Sequence, residues 1–254
     1  MDKIRRNERM SAMMKILAAK PNRIFTLSYF CDLFGSAKST MSEDIDILRD
    51  VVAHFGLGEL ETVTGAAGGV RYRTKVRRPE ARKFIGDLCQ QLSEEGRVLP
   101  GGFLYYSDIL STPEIVTRMG EIMATEYYAA APDFVLTMET KGIPVAFAAA
   151  HALGVPLVIA RRSSKVYEGS AVNINYVSGS SGHIETMSLS RRAVQEGQKC
   201  LIVDDFLKGG GTAKGMVDLM REFNVEVIGM TFVMSTAKQV KKRVMGEKSL
   251  MVMD

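Results

Sequence analysis

The strongest chemical pattern in the chain is KCLIVDDFLKGGGTAKGM, residues 199–216. It joins an apolar stretch at Leu201 to Val203, adjacent carboxylates at Asp204 and Asp205, then Phe206, Lys208, three glycines at Gly209, Gly210 and Gly211, and Thr212 at the opening of a helical segment. A strand buried in a sheet delivers both acids at its carboxyl end, where they can accept hydrogen bonds from the neighbouring hydroxyls of a ribose. Bonds to ionised acceptors are stronger than neutral ones. The glycines let the backbone approach an anion, so the amides of Lys208 to Thr212 and the positive end of the following helix can cradle a phosphate, with Lys208 adding a mobile charge. The bland alternative is a glycine-rich turn whose helix is capped by Thr212; strand, acid pair and helix in this order favour the ligand site.

A second loop, Met138-Glu139-Thr140-Lys141-Gly142, also follows a strand and opens a helix, with Lys141 supplying charge and Gly142 backbone access. Arg161 and Arg162 end the next strand; either one of them clamps oxyanions in the bidentate manner of arginine, or they are a solvated strand end. Tyr105, in GGFLYYSD, is expected to cover the pocket, with core or interface packing as its alternative. His54, His151 and His183 are scattered, which argues against a metal cluster or a catalytic triad. Cys31, Cys89 and Cys200 are odd in number and far apart, so no disulfide framework or zinc site is expected, and a reducing cytosol fits best.

These residues need a scaffold, and its elements are readable. Helices are expected at 113–130, 143–153 and 212–222, and strands at 133–138, 156–161, 199–204 and 225–234. Such alternation builds a doubly wound, mostly parallel α/β sheet with ligands at the carboxyl ends of its strands. Residues 163–192, rich in Ser, Gly and Asn, read as a long flexible hairpin over the sheet. The apolar run from Ile143 to Ala160 is broken by Pro144, His151, Gly154 and Pro156, so a buried helix and strand are expected rather than a membrane span, and MDKIRRNERM carries no apolar leader.

The N-terminal third differs in charge. Residues 1–78 hold 14 Lys and Arg against 9 Asp and Glu, whereas the remainder holds 19 against 20, so the basic excess is entirely N-terminal and points to a polyanion partner there. Met10, Met13, Met14, Ile16 and Leu17 recur at helical spacing before Pro21; Leu27 to Phe34 forms a second helical run ending at Gly35. A third helix is expected near Ser36, its cap, with Met41, Ile45, Leu48, Val51 and Val52 on one face. GELETVTG and GVRYRTKV read as a hairpin around Ala66, Ala67 and Gly68. Three helices and a hairpin make a winged helix-turn-helix over residues 1–78, followed by a linker helix at 79–96 and the effector domain over 79–254. Lys38, Ser39, Thr40 and Ser42 at the start of the third helix are candidates for base and phosphate contact. Arg5, Arg6 and Arg9 before helix one, and Arg71, Arg73 and Lys75 on the wing, are candidates for backbone phosphates. Glu43, Asp44 and Asp46 must face away from phosphate or be paired. A solvated charged face or a protein-docking winged helix remains the alternative.

The DDFLKGGGT segment resembles the phosphoribosyl pyrophosphate (PRPP) motif of type I phosphoribosyltransferases, and DDFL is similar to their xanthine-specific branch. From its first helix to that motif the chain resembles the purine operon repressors of Gram-positive bacteria. The resemblance implies a cytoplasmic homodimer that binds double-stranded operator DNA near purine genes, with PRPP, with or without Mg²⁺, weakening that binding in repressor members, while some relatives activate. It places PRPP contacts on Lys141, Gly142, Arg161, Asp204, Asp205, Lys208 and Gly209 to Thr212. Active transferases commonly carry Thr where this chain has Gly209, and no acidic or aromatic purine-reading segment is recognised after Phe232, so effector sensing is expected over catalysis. An active purine phosphoribosyltransferase is the alternative, and guanosine tetraphosphate is a further candidate effector.

Overall fold

The computed structural model describes residues 4–65, 68–101, 103–164, 169–178, 182–237 and 244–253. The chain divides into two compact units, Met1–Arg78 with His151–Gly154, and Pro79–Ala150 with Val155–Asp254.

The first unit holds α1 (Arg6–Ala19), α2 (Leu27–Phe34) and α3 (Lys38–His54), then β1 (Glu59–Val63) paired antiparallel with β2 (Gly69–Arg73), the arrangement of a winged helix. The hydroxyl of Thr26 accepts from the Tyr29 amide to start α2, and Gly35 stops it in the left-handed conformation. Helix α3 then begins at Lys38 with Ala37 as its N-cap. Ser36, the expected cap, instead donates its hydroxyl to the Phe34 carbonyl, because the chain has not yet left the turn. Met13, Leu17, Phe30, Phe34, Met41, Ile45, Leu48 and Val52 form the core. Val51 does not join them: it lies about 100° round the helix from Val52 and is 40% exposed. Ala66 and Ala67 of the expected hairpin turn lie outside the described residues.

The second unit begins with α4 (Arg78–Leu92), a two-residue pair β3 (Val98–Leu99) and β4 (Phe103–Leu104), α5 (Ser107–Leu110) and α6 (Pro113–Thr125). Then come β5 (Phe134–Met138), α7 (Ile143–Leu153), β6 (Leu157–Ala160), the antiparallel hairpin β7 (Ala171–Val177) and β8 (Ile184–Ser190), β9 (Lys199–Leu207), α8 (Gly211–Glu222), β10 (Glu226–Thr236) and β11 (Glu247–Met253). Residues 165–168 and 179–181 of the expected hairpin lie outside the described residues. Five strands make one wholly parallel sheet in the order β11-β10-β9-β5-β6. β5 is buried along its whole length, which is why FVLTM is a continuous apolar run apart from Thr137. Phe134, Leu136, Met138, Ile202, Met216, Leu219 and Phe232 fill the core against α8 and the β7–β8 hairpin.

Two boundaries and one whole strand differ from expectation. α6 ends at Thr125 because Glu126, Tyr127 and Ala130 turn with i to i−3 backbone bonds instead of continuing the helix to 130. β9 runs on to Leu207, so the acid pair lies within the strand. β11 supplies an unforeseen edge strand. Among the described residues no helix is long and apolar enough to cross a membrane.

Candidate effector site

Along the chain β5 leads to β6 on one side of the sheet, whereas β9 leads to β10 and β11 on the other, so the direction of winding reverses between β5 and β9. At such a switch point the connections leave in opposite directions and open a crevice beyond the carboxyl ends of the two strands. Those ends carry the two segments singled out above, Glu139 to Gly142 after β5 and Asp204 to Thr212 along and after β9.

The two segments touch. A Cβ on Gly142 would fall onto Asp204 Oδ1 and within 2.6 Å of Thr137 Oγ1, so any larger residue would drive the loop away from the acid. The peptide bond between Glu139 and Thr140 is cis. Asp204 Oδ1 accepts from the Asp205 amide at 3.0 Å. Burial first, and the charge of Asp205 second, hold the Asp204 carboxyl well above the usual carboxylate range.

Asp205 is only half buried, and its Oδ2 accepts a 2.7 Å hydrogen bond from the hydroxyl of Tyr106. The Lys141 ammonium lies 4.5 Å from the centre of the same tyrosine ring. Burial and the Asp205 charge push the Tyr106 phenol far above its ordinary value, so it stays a donor. Tyr105, the expected cover, is exposed instead. The two tyrosines part company because Tyr106 is the residue that enters α5, whereas Tyr105 is tied by its amide to the Arg97 carbonyl. Within GGFLYYSD it is therefore Tyr106, rather than the expected Tyr105, that meets the acid pair.

The glycine run shapes the other half of the crevice. Gly210 takes the left-handed conformation (φ 72°) and serves as N-cap of α8, which starts at the buried Gly211. Thr212 is therefore inside the helix and is not its cap. Its neighbour is Tyr176 on β7, whose phenol is pushed up to about 12 by burial and by the Glu185 carboxylate, with Thr212 working the other way. Phe206 and Gly209 are half buried, and Lys208 is exposed. Thr140 and Lys141 are exposed, and Gly142 is buried. The arginine pair is divided: Arg161 NH1 is 3.6 Å from Glu139 Oε2, while Arg162 gives its amide to Glu139 Oε1 at 2.7 Å and its guanidinium to Glu185. Tyr106 is thus a candidate site residue to which the sequence reading gave no role, and Glu139, quoted there only as part of its loop, turns out to hold both arginines. Among the described residues no cluster of three or more metal-ligating side chains gathers.

In the winged unit, Lys38, Ser39 and Ser42 are exposed on the first turns of α3 and Thr40 is half buried. The remaining cations are largely engaged. Arg5 precedes α1, and its amide donates to Glu8 at 2.8 Å. Arg6 pairs with Glu43 (2.7 Å) and Asp44 (3.0 Å), and the buried Arg9 pairs with Asp44 at 2.8 Å. On the wing Arg71 makes two 3.0 Å bonds to Glu61, Arg73 reaches the same carboxylate at 2.7 Å, and Lys75 meets Glu59 at 3.0 Å. The Arg71 hydrogen bond in particular keeps the Glu61 carboxyl below its ordinary value. The expected open row of wing cations is therefore a row of cross-strand ion pairs, since Glu61 stands directly opposite Arg71 in the register.

Comparison with known proteins agrees with this division. Residues 5–74 match the family described as bacterial purine repressor, N-terminal, and residues 106–252 match the phosphoribosyl transferase domain. The chain is 44% identical over 245 residues to the purine biosynthesis transcriptional repressor PurR of Bacillus subtilis, covering 96% of this chain and 86% of that one. It is 39% identical over 251 residues to the purine biosynthesis transcriptional activator PurR of Lactococcus lactis, covering 99% and 93%. In fold it resembles the crystal structure of an adenine phosphoribosyltransferase from Thermoanaerobacter pseudethanolicus, with TM-score 0.57 and 22% identity over 66% of this chain and 99% of that one.

Proposed function

The chain belongs to the PurR family of purine biosynthesis transcription regulators, and from that premise we propose that it is a cytoplasmic, homodimeric repressor whose grip on double-stranded operator DNA is relieved by PRPP. The observation that carries the effector half is the junction at the switch point, where Gly142 is pressed against Asp204 beside a glycine loop that opens a helix. Asp204 and Asp205 hold the ribose hydroxyls. The amides of Lys208 to Thr212 and the start of α8 hold the phosphate on the ribose, and Lys141, the Gly142 backbone and Arg161 face the pyrophosphate. Mg²⁺, when bound with the pyrophosphate, supplies counter-charge. A guanosine tetraphosphate presents a ribose and phosphates to the same groups and competes for them.

DNA is met by Lys38, Ser39, Thr40 and Ser42 at the start of α3, and by Arg5 and the wing residues Arg71, Arg73 and Lys75 on phosphates. Arg6 contributes through its hold on Asp44, which fixes α1 against α3. The two sites communicate because PRPP binds DNA-free and DNA-bound protein with different affinity, and linkage makes the effect mutual.

Titration of PRPP into the protein with and without operator DNA tests the proposal. Operator DNA is expected to weaken PRPP binding by the same factor by which PRPP weakens operator binding; equal PRPP affinity in the two titrations, or none in either, overturns it. Transcription from a promoter carrying the operator is expected to fall when the protein is added and to recover with PRPP. Incubation with PRPP and each purine base is expected to yield no nucleotide, and turnover would promote the transferase alternative.

A further inference from the structure

The carboxylate that a ribose would use is already engaged by the protein itself. The Tyr106 hydroxyl donates to Asp205 Oδ2 at 2.7 Å, and Lys141 rests on the same ring at 4.5 Å from its centre. One side chain thus engages both a sugar-binding acid and a pyrophosphate-facing cation. The segment that leads into Tyr106 is lightly held: β3 and β4 are two residues each, and Val98 and Phe103 are about 70% exposed, whereas α5 behind it is anchored by the buried Ile109 and Leu110. Few buried contacts oppose a shift of the chain on the near side of the ring.

We propose that Tyr106 is a built-in competitor for the effector. Its phenol occupies the acceptor position at Asp205 that a ribose hydroxyl takes, and its ring retains Lys141, so a ligand must eject the tyrosine before it can use both groups. The inference rests on the reading of the pocket as a PRPP site. It goes beyond that reading by assigning Tyr106 the setting of the effector threshold and a preference for ligands that carry a sugar hydroxyl. A bare pyrophosphate can interact with the phosphate-facing groups without displacing the phenol, whereas a ribose has to replace it. The competition lowers apparent affinity by the fraction of protein in which the acid is free.

Calorimetric titration of the full-length protein and of Tyr106→Phe and Tyr106→Leu, with PRPP and with inorganic pyrophosphate, decides the matter. Tyr106→Phe keeps the ring and loses only the hydroxyl, so PRPP should bind about tenfold more tightly, the scale of a hydrogen bond to a charged acceptor. Pyrophosphate affinity should stay unchanged in that variant. Tyr106→Leu also releases Lys141, so both ligands should gain. If the leucine variant fails to fold, as judged by melting, the phenylalanine variant alone carries the decision. Unchanged or weaker PRPP binding by Tyr106→Phe, or an equal gain for pyrophosphate, overturns the competitor while leaving the pocket reading intact. No PRPP binding by the unaltered protein or by either variant overturns the pocket reading and the competitor with it.

Discussion

Among the described residues two carboxylates are buried, one in each unit, and their surroundings are opposite. Asp44 is wholly buried on α3, where one oxygen faces Arg6 at 3.0 Å and the other meets Arg9 at 2.8 and 2.9 Å. Asp204 is 7% exposed within a parallel strand, three residues before its end, and the charge that acts on it is a second carboxylate. A buried charge with paired cations is part of the protein's own packing. One that is left beside a like charge works against folding, and such an arrangement marks a place where a ligand completes the electrostatics. The difference separates a residue that ties α1 to α3 from a residue whose surroundings fit the proposed ligand site, although both are aspartates out of solvent.

The largest expected effect breaks the first of these. Asp44→Ala leaves Arg9 buried without its partner and should cost about 3–5 kcal/mol of stability. Urea denaturation followed by circular dichroism measures it, and operator binding should fall with it because α1 no longer fixes α3. A loss below about 1 kcal/mol would mean that the two buried acids are not different in kind.

Asp204→Asn should act in the opposite direction. A carboxyl whose folded-state pKa lies above its unfolded one carries a proton that the unfolded chain releases, so stability falls as the pH rises from the ordinary carboxylate range towards the folded value, and stays low above it. Removing the charge should therefore add about 1–3 kcal/mol at neutral pH, the scale of relieving an uncompensated buried polar group. The gain should shrink as the pH falls to about 4 and below, where both states are protonated. Denaturation at pH 4 and pH 8 supplies the comparison. The same variant should lose its PRPP response, giving a more stable and less responsive protein; a variant less stable at pH 8 than the unaltered chain would remove the contrast with Asp44.

What the sequence made legible follows the same division. The acid pair, the glycine loop and the Lys141-Gly142 loop stand out in the sequence because backbone geometry dictates their residue types: a buried parallel strand, a left-handed turn at Gly210 and a contact that admits no Cβ at Gly142 each leave a mark at fixed spacing. The limits of α2 were readable for the same reason, from Thr26 and Gly35. Side-chain partners leave no such mark. Nothing local distinguishes Tyr106 from Tyr105, since the choice depends on where α5 begins. Nor does spacing reveal that Glu61 collects both Arg71 and Arg73, because that pairing is made across the hairpin register. β11 escaped notice because EKSLMVM has weak alternation and acquires its meaning only beside β10.

The wing offers the smallest effect and the finest distinction. Glu61 and Asp44 each hold two arginines, but the Glu61 side chain is 35% exposed, where an ion pair is worth little and is open to exchange. A phosphate can replace the carboxylate in the fork of Arg71 without leaving a buried charge behind, which no ligand can do at Asp44. Glu61→Gln should therefore leave stability within about 1 kcal/mol of the unaltered protein while tightening operator binding roughly two- to fivefold. The salt dependence should steepen by about one released ion, because an arginine that was internally neutralised now meets a phosphate. Operator binding measured across a series of salt concentrations reads both quantities. Unchanged affinity with an unchanged slope would take the wing off the phosphates and assign the N-terminal basic excess to α3 and the start of α1 alone.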